Sequence, residues 1–262
     1  MKFEEMPQPK GGESRIEKLE SALFAFAEAY RAEGISVTDS CRIDERQFQE
    51  LYGSEEIQHD LETLRKQEEQ IGTFGLSEAE LLRRREGEQL EALTVIVLNK
   101  FLVEDFVIVR TSRYDDVLHK ADTLILDRKS GEIVCALDEV EDIRGARFTE
   151  KRDDVIRRNK KQGVEVKYGL ALQEDGIQPA RRGNVPVFYF ALPPESLRLG
   201  VKEMRPDIHE ISDYERKIFE AFVSLLDAET KMLQLSSRDL TPPLQTALNR
   251  FQVSLDKMRG AL

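Results

Sequence analysis

Two hydrophobic periods divide the chain. Leu19, Leu23, Phe26 and Tyr30 recur at helical spacing. They predict a helix that Ser14 caps, with Glu17 at the capping-box position and Gly34 as its stop. From Asp44 to Ile71 the pattern stays helical, but the apolar seam is thin: Phe48, Leu51, Ile57, Leu61, Leu64 and Ile71. Gly53-Ser54 is the expected break. So narrow a stripe suits a solvated helical hairpin or an arm that pairs with a second copy as a homodimer. Ser77 with Glu80 opens another helix to about Val103. Its second half, Leu90 to Phe101, is almost wholly apolar and is expected to pack on a sheet.

Strand-like runs follow at Phe106–Arg110, Ala121–Leu126, Ile133–Leu137, Val164–Leu172 and Asn184–Leu192. A basic helix, Phe148 to Lys161, separates the third from the fourth and ends at Gly163. Gly176, Pro179 and Arg181-Arg182-Gly183 mark a loop between the last two strands, and residues 193–211 read as irregular. Ser212 with Glu215 caps a helix to about Leu235, with Ile218, Phe219, Phe222, Leu225, Leu226, Met232 and Leu233 on its stripe. Thr241-Pro242-Pro243 starts a last helix that runs to Arg259. The predicted fold class is α/β: a mixed sheet of about five strands with helices on both faces. The predicted division is a disordered N-terminus (1–13), a helical arm (14–75), an α/β core (76–195) and a C-terminal helical hairpin (196–262).

Tyr114 to Glu141 carries the candidate chemistry. Its two apolar runs flank Arg128-Lys129-Ser130-Gly131, a turn whose final glycine suits a three-residue hairpin loop. In that register Arg128 faces Glu132 and Asp122 faces Asp138. Opposed residues share a sheet face, with Cβ atoms roughly 4.5–5.5 Å apart. Two carboxylates so placed repel unless a cation lies between them or one keeps its proton. A slip of one residue would send them to opposite faces as ordinary strand-end charges. Leu124, Leu126, Val134 and Ala136 are assigned to the aspartates' face, and Ile125, Ile133, Cys135 and Leu137 to the other.

Composition narrows the chemistry. The net charge of −11 opposes broad attraction to nucleic acid. It is unevenly spread: residues 104–183 hold 16 basic and 17 acidic side chains, so the flanks carry nearly all of the excess. No run approaches a membrane span, and the first residues show no apolar signal region. Cys41 and Cys135 stand far apart with no CxxC, so a reducing, cytoplasmic setting is expected. With three scattered histidines, any metal would need oxygen ligands. The nucleotide-loop and nucleophile-elbow motifs GxxxxGK[ST], GxGxxG after a strand and GxSxG do not occur.

The order αβββαβ from Ser77 to Leu192, with Asp122 early in the second strand (HKADTLIL) and Asp138 late in the third (VCALDEVED), resembles the PD-(D/E)XK superfamily of restriction-endonuclease-like nucleases. The resemblance implies Mg²⁺, or Mn²⁺, held by Asp122 and Asp138, and hydrolysis of DNA or RNA. It also implies a Lys two residues after the second acid, where this chain has Val140. Lys120, opposite Val140 in the hairpin register, and Lys151, in the next helix, are the candidates to replace it. Glu88 or Glu91 on the preceding helix is the implied third metal ligand. Arg110, Arg113, Arg144, Arg147, Lys151, Arg157, Arg158, Lys160 and Lys161 are candidate phosphate contacts, although the last turn of a helix also favours cations. Asp115-Asp116 reads as a turn cap, with an accessory metal role as the alternative, and His119 as a surface residue or a general base. A catalytically inactive descendant of the fold, serving as a scaffold, is the competing reading.

Overall fold

The computed structural model describes residues 15–72, 77–140, 146–235 and 237–262. The expected disordered terminus (1–13), Ser14, Gly75, most of the loop from 141 and Arg144 lie outside the described residues, as do the side chains of Ile71 and Arg147.

The helices begin and end largely where local signals place them. Helix α1 spans Arg15–Ala32, and Gly34 beyond it has φ +84°. A short 3₁₀ turn leads into α2, Gln49–Ile71, whose Gly53 is non-helical (φ 75°, ψ 159°), the break anticipated there. Phe48, Ile57 and Leu64 of the seam are buried, whereas Leu51 and Leu61 are exposed. Helix α3, Glu78–Leu102, opens with the complete Ser77/Glu80 capping box.

The main sheet holds β1 (Phe106–Arg110), β2 (Thr123–Asp127), β3 (Ile133–Val140) and β6 (Val187–Ala191) in the order β1-β2-β3-β6. Its first two pairings are antiparallel, and β3 with β6 is parallel. Every residue of β1, β2 and β3 is buried, so both faces are covered. Helix α3 packs against β1 and β3, and α4 (Ala146–Lys161) against β3 and β6.

Two parts of the sequence reading are corrected. The expected loop at 173–183 is mostly strand: β5, Gly176–Val185, pairs with β4, Val164–Gln173, in a separate two-stranded sheet. One face-to-face pattern could not reveal β5, because most of its side chains are half-exposed and it bonds to β4 alone. Residues 194–203 form helix α5, Pro194–Glu203, with Pro194 at its first turn. Gly200 lets it approach α3: a Cβ there would meet Leu93 Cδ2 at 2.8 Å. Helices α6 (Asp213–Leu235) and α7 (Pro242–Gly260) end the chain. Met232, assigned to the buried stripe of α6, is 55% exposed.

The hairpin turn also differs. Asp127 N–H bonds Glu132 O at 3.0 Å, enclosing a four-residue loop that ends on Gly131 (φ +67°). A bulge at Val134 then absorbs one residue, so Leu126 pairs with Ile133 while Ile125 pairs with Cys135. Ile133 therefore shares the face of Leu126, not the opposite one. Beyond the bulge the expected register holds, with Thr123 opposite Leu137.

Side chains close both sheet edges. On β1, Tyr30 accepts Ile108 N–H at 2.9 Å and Asn99 donates to Ile108 O at 2.9 Å. On β6, the Asn159 amide makes a reciprocal pair with Val187, at 2.7 and 3.1 Å, as a neighbouring strand would. The connection before α2 also runs along β1: Arg42 bridges to Arg110, and Arg110 N–H bonds Cys41 O at 2.9 Å. That bridge brings Arg42 to the far end of the hairpin.

Candidate functional site

Asp122 stands just before β2, where the two strands of the hairpin part. Its N–H bonds Leu137 O at 2.8 Å, and its Oδ2 accepts Glu139 N–H at 2.7 Å. The carboxyl is thus bound across the gap to the backbone of β3. Consecutive strand residues point to opposite faces, and the acids of β3 divide accordingly. Asp138 is paired with Lys151 and Arg158 of α4, one carboxylate oxygen to each. Glu139 accepts the Thr123 hydroxyl on Oε1 at 2.8 Å, and its Oε2 is buried without a hydrogen-bond partner among the described residues.

A π-helical turn, Asp115–His119, supplies the next group. Buried Asp115 holds the turn in place: its carboxylate accepts Lys167 N–H and Tyr168 N–H at 2.8 and 2.9 Å, the Ser112 hydroxyl at 2.9 Å, and contacts His119 Nδ1 at 2.6 Å. His119 is therefore tied to Asp115. Asp116, next in the turn, reaches the hairpin end. With Glu91 of α3 and Asp122 it forms a trio whose carboxylate oxygens lie within 4.8 Å of one another.

Arginines brace this trio. Arg42 reaches Asp116 at 3.0 Å and Glu91 at 3.4 Å, Arg110 pairs with Glu91, and Arg113 reaches Asp116 at 2.9 Å. Two openings share Asp116, Asp122 and Lys151. One is bordered by Lys120, Glu150, Asp154 and Arg157, the other by Arg83, Arg84, Glu88 and Arg113.

Burial sets the titration of these acids. It raises Asp122 well above the ordinary carboxylate value; Lys151 opposes the shift, and Asp138 and Glu91 add to it. Burial pushes Glu139 up to about 8, with Glu91 adding and the Thr123 hydroxyl pulling back. Lys151 titrates above an ordinary lysine despite its own burial, because Asp138 and Asp122 face it.

The residues singled out in the sequence are distributed as follows. Asp122, Asp138 and Lys151 meet. Lys151 Nζ also donates to Glu139 O at 3.0 Å, so its ammonium sits against the end of β3. Lys120, in a left-handed conformation (φ 54°), points to Asp154 at 3.6 Å, with its side chain 60% exposed. Glu88 is exposed at the rim, whereas Glu91, one helical turn on, joins the trio. Arg110 and Arg158 are spent on internal carboxylates; Arg157, Lys160 and Lys161 are exposed. Sequence reasoning missed Arg42 and Glu139. The first lies 49 residues from Glu91. The second could be recognised only through strand alternation once the fork was placed.

Comparison with family models, with curated proteins and with solved structures returns no match for this chain. No described helix is long and apolar enough to cross a membrane.

Proposed function

We propose that the protein is a metal-dependent nuclease-like hydrolase of DNA or RNA phosphodiester bonds, on a restriction-endonuclease-like core made of α3, β1, β2, β3, α4 and β6. One observation carries this reading: the oxygen trio of Glu91, Asp116 and Asp122 opens on the same cleft as the Lys151 ammonium.

The donor set fits a hard divalent ion such as Mg²⁺ or Mn²⁺, which prefers carboxylate oxygen to nitrogen or sulfur. The Oε2 of Glu139, which has no hydrogen-bond partner among the described residues and lines the same opening as Asp122, is a further oxygen that a cation would satisfy. Glu91, Asp116 and Asp122 are proposed as ligands in place of Asp138 and Glu88, since Asp138 is already held by Lys151 and Arg158. When bound, the ion would supply Lewis-acid polarisation of the phosphate and lower the pKa of water.

The chain's own groups do the rest. Lys151, anchored by Asp138 and the Glu139 carbonyl, is placed to stabilise charge developing on a scissile phosphate. Its position substitutes for the lysine expected at Val140. Arg83 and Arg84 at one opening and Arg157 at the other are cations that can meet a phosphate backbone.

A second reading, a catalytically inactive scaffold, is favoured by the ion pairs. Glu91, Asp116 and Asp138 each already face two basic side chains. The deciding experiment is nicking of plasmid and of single-stranded DNA and RNA with Mg²⁺ or Mn²⁺, for native protein, Asp122→Asn and Lys151→Met. Metal-dependent cleavage lost in both variants supports the nuclease. No cleavage, together with an equal metal-induced melting shift in native and Asp122→Asn protein, leaves the scaffold.

A further inference from the structure

Arg113 stands between the acidic cleft and helix α2. It borders the opening that holds Asp116, Asp122, Glu139 and Lys151. Its Nη1 reaches Asp116 at 2.9 Å, and its Nε donates to Glu68 Oε1 of α2 at 2.7 Å. The side chains of the Arg113–Glu68 pair remain 44% and 41% exposed. So exposed a pair is weak, because water screens it.

Both partners are nevertheless held in place from behind. Glu45, in the 3₁₀ turn before α2, accepts Arg113 N–H on Oε1 at 2.8 Å, which fixes where the arginine starts. Helix α2 is clamped to β4 about two to three turns before Glu68. There Lys167 Nζ reaches Glu56 at 2.7 Å and Asp60 at 2.5 Å. It also lies 4.9, 5.5 and 5.8 Å from the ring centres of Tyr52, Tyr114 and Tyr168. The Tyr168 hydroxyl donates to Asp60 at 2.7 Å. Two elements are thus ordered independently, and a carboxylate of one meets a guanidinium of the other at the edge of the cleft.

A carboxylate on a guanidinium takes the place that a phosphate oxygen would take, since the same planar donors serve both. Residues 49–71 of α2 carry seven acidic and two basic side chains. Charge of that sign beside the opening repels a phosphate chain over a Debye length, roughly 10 Å at 0.1 M salt. We infer that Glu68 is an autoinhibitory carboxylate, which holds on Arg113 the place of a substrate phosphate of DNA or RNA. The inference rests on the nuclease reading and adds a gate to it. A strand entering the cleft takes Arg113 from Glu68, and the exchange needs only the turning of two exposed side chains while α2 stays docked.

The test is fluorescence anisotropy of the full-length chain with short labelled single strands and duplexes of DNA and of RNA, with Ca²⁺ in place of Mg²⁺ to hold back cleavage. Glu68→Gln and Glu69→Gln remove the same charge from adjacent positions, but Glu69 pairs with Arg65 of its own helix. Glu68→Gln is expected to tighten binding about three- to fivefold, the most that an exposed pair is worth. Glu69→Gln is expected to change it less than about twofold, as a surface charge remote from Arg113. In an Arg113→Gln background the gain from Glu68→Gln is expected to vanish. Equal gains from the two glutamate variants, or a gain that survives Arg113→Gln, overturn the inference and leave the nuclease reading standing. The glutamate comparison decides by itself if Arg113→Gln does not fold. No binding of any probe by native or Glu68→Gln protein overturns both.

Discussion

Lys151 Nζ donates to the Glu139 carbonyl oxygen at 3.0 Å, which puts a helix-borne ammonium at the end of the strand that lacks its own lysine. Val140 is apolar and buried, so the strand itself offers no cation there. If hydrolysis occurs, Lys151→Met should lower the single-turnover rate by about 10²–10³, the loss typical of one preorganised donor. The melting temperature should fall only slightly. Lys120→Ala should leave the rate within about twofold, because an exposed cation on Asp154 couples weakly to the cleft. Quenched-flow cleavage of a labelled duplex separates the two lysines.

Arg42 joins the segment before α2 to the acids of the cleft. Its guanidinium is mostly buried, bonds Thr111 O at 2.9 Å, and faces both Asp116 and Glu91. Arg42→Ala leaves Asp116 to Arg113 and Glu91 to Arg110, but strips Thr111 O of its charged donor. It should therefore lower unfolding stability by about 1.5–3 kcal/mol, the worth of a hydrogen bond to a charged group, in urea titration. Added Mg²⁺ should recover part of that loss if the trio takes a cation.

Gly131 is required twice. Its φ of +67° is left-handed, and a Cβ there would lie 1.9 Å from Leu172 Cβ. Gly131→Ala should cost about 3 kcal/mol, combining left-handed strain with overpacking. The damage should reach the β4–β5 hairpin, read as faster amide exchange at Leu172. Gly176 also has positive φ (+106°), but a Cβ there meets nothing within 4 Å, so Gly176→Ala should show the backbone strain alone, about 1–2 kcal/mol.

Asp127 pins the hairpin turn through Lys129 N–H and Ser130 N–H, at 3.0 and 2.8 Å, and pairs with Lys257 at 2.5 Å. Burial works against its charge, but Lys257 and Ser130 outweigh it and hold the carboxyl below its usual value. A depressed folded-state value stabilises above the unfolded value of about 3.9 and loses that contribution as pH falls through the folded one. Native protein should therefore exceed Asp127→Asn in stability by about 1–2 kcal/mol near neutrality. The two curves should converge at the acid end of a pH series of urea melts.

Much of the frame was legible because its causes are local. The Ser77/Glu80 and Ser212/Glu215 boxes, the Gly53 break and the left-handed Gly131 follow from a few neighbouring residues. Leu124–Leu126 and Ile133–Leu137, apolar on both faces, announced hairpin strands buried on both sides. The polar strand β5 was not legible, because a half-exposed hairpin has no face to bury and so no period to read. The one-residue error at the turn arose because a bulge leaves no mark in the hydrophobic pattern.

The candidate site divides along the same line. Sequence by itself determined that oxygen ligands were the available ones for any metal, that Asp122 lies where the hairpin opens, and that the position after Glu139 is Val140 and carries no lysine. Tertiary structure decided the rest. It chose Lys151 over Lys120 and Glu91 over Glu88, turned Asp138 and Glu139 to different partners, and brought Asp116 and Arg42 to the same cleft. Those choices depend on which side of a strand or helix faces a neighbour dozens of residues away. Spacing along the chain fixes a residue's face on its own element, but packing alone fixes what that face meets.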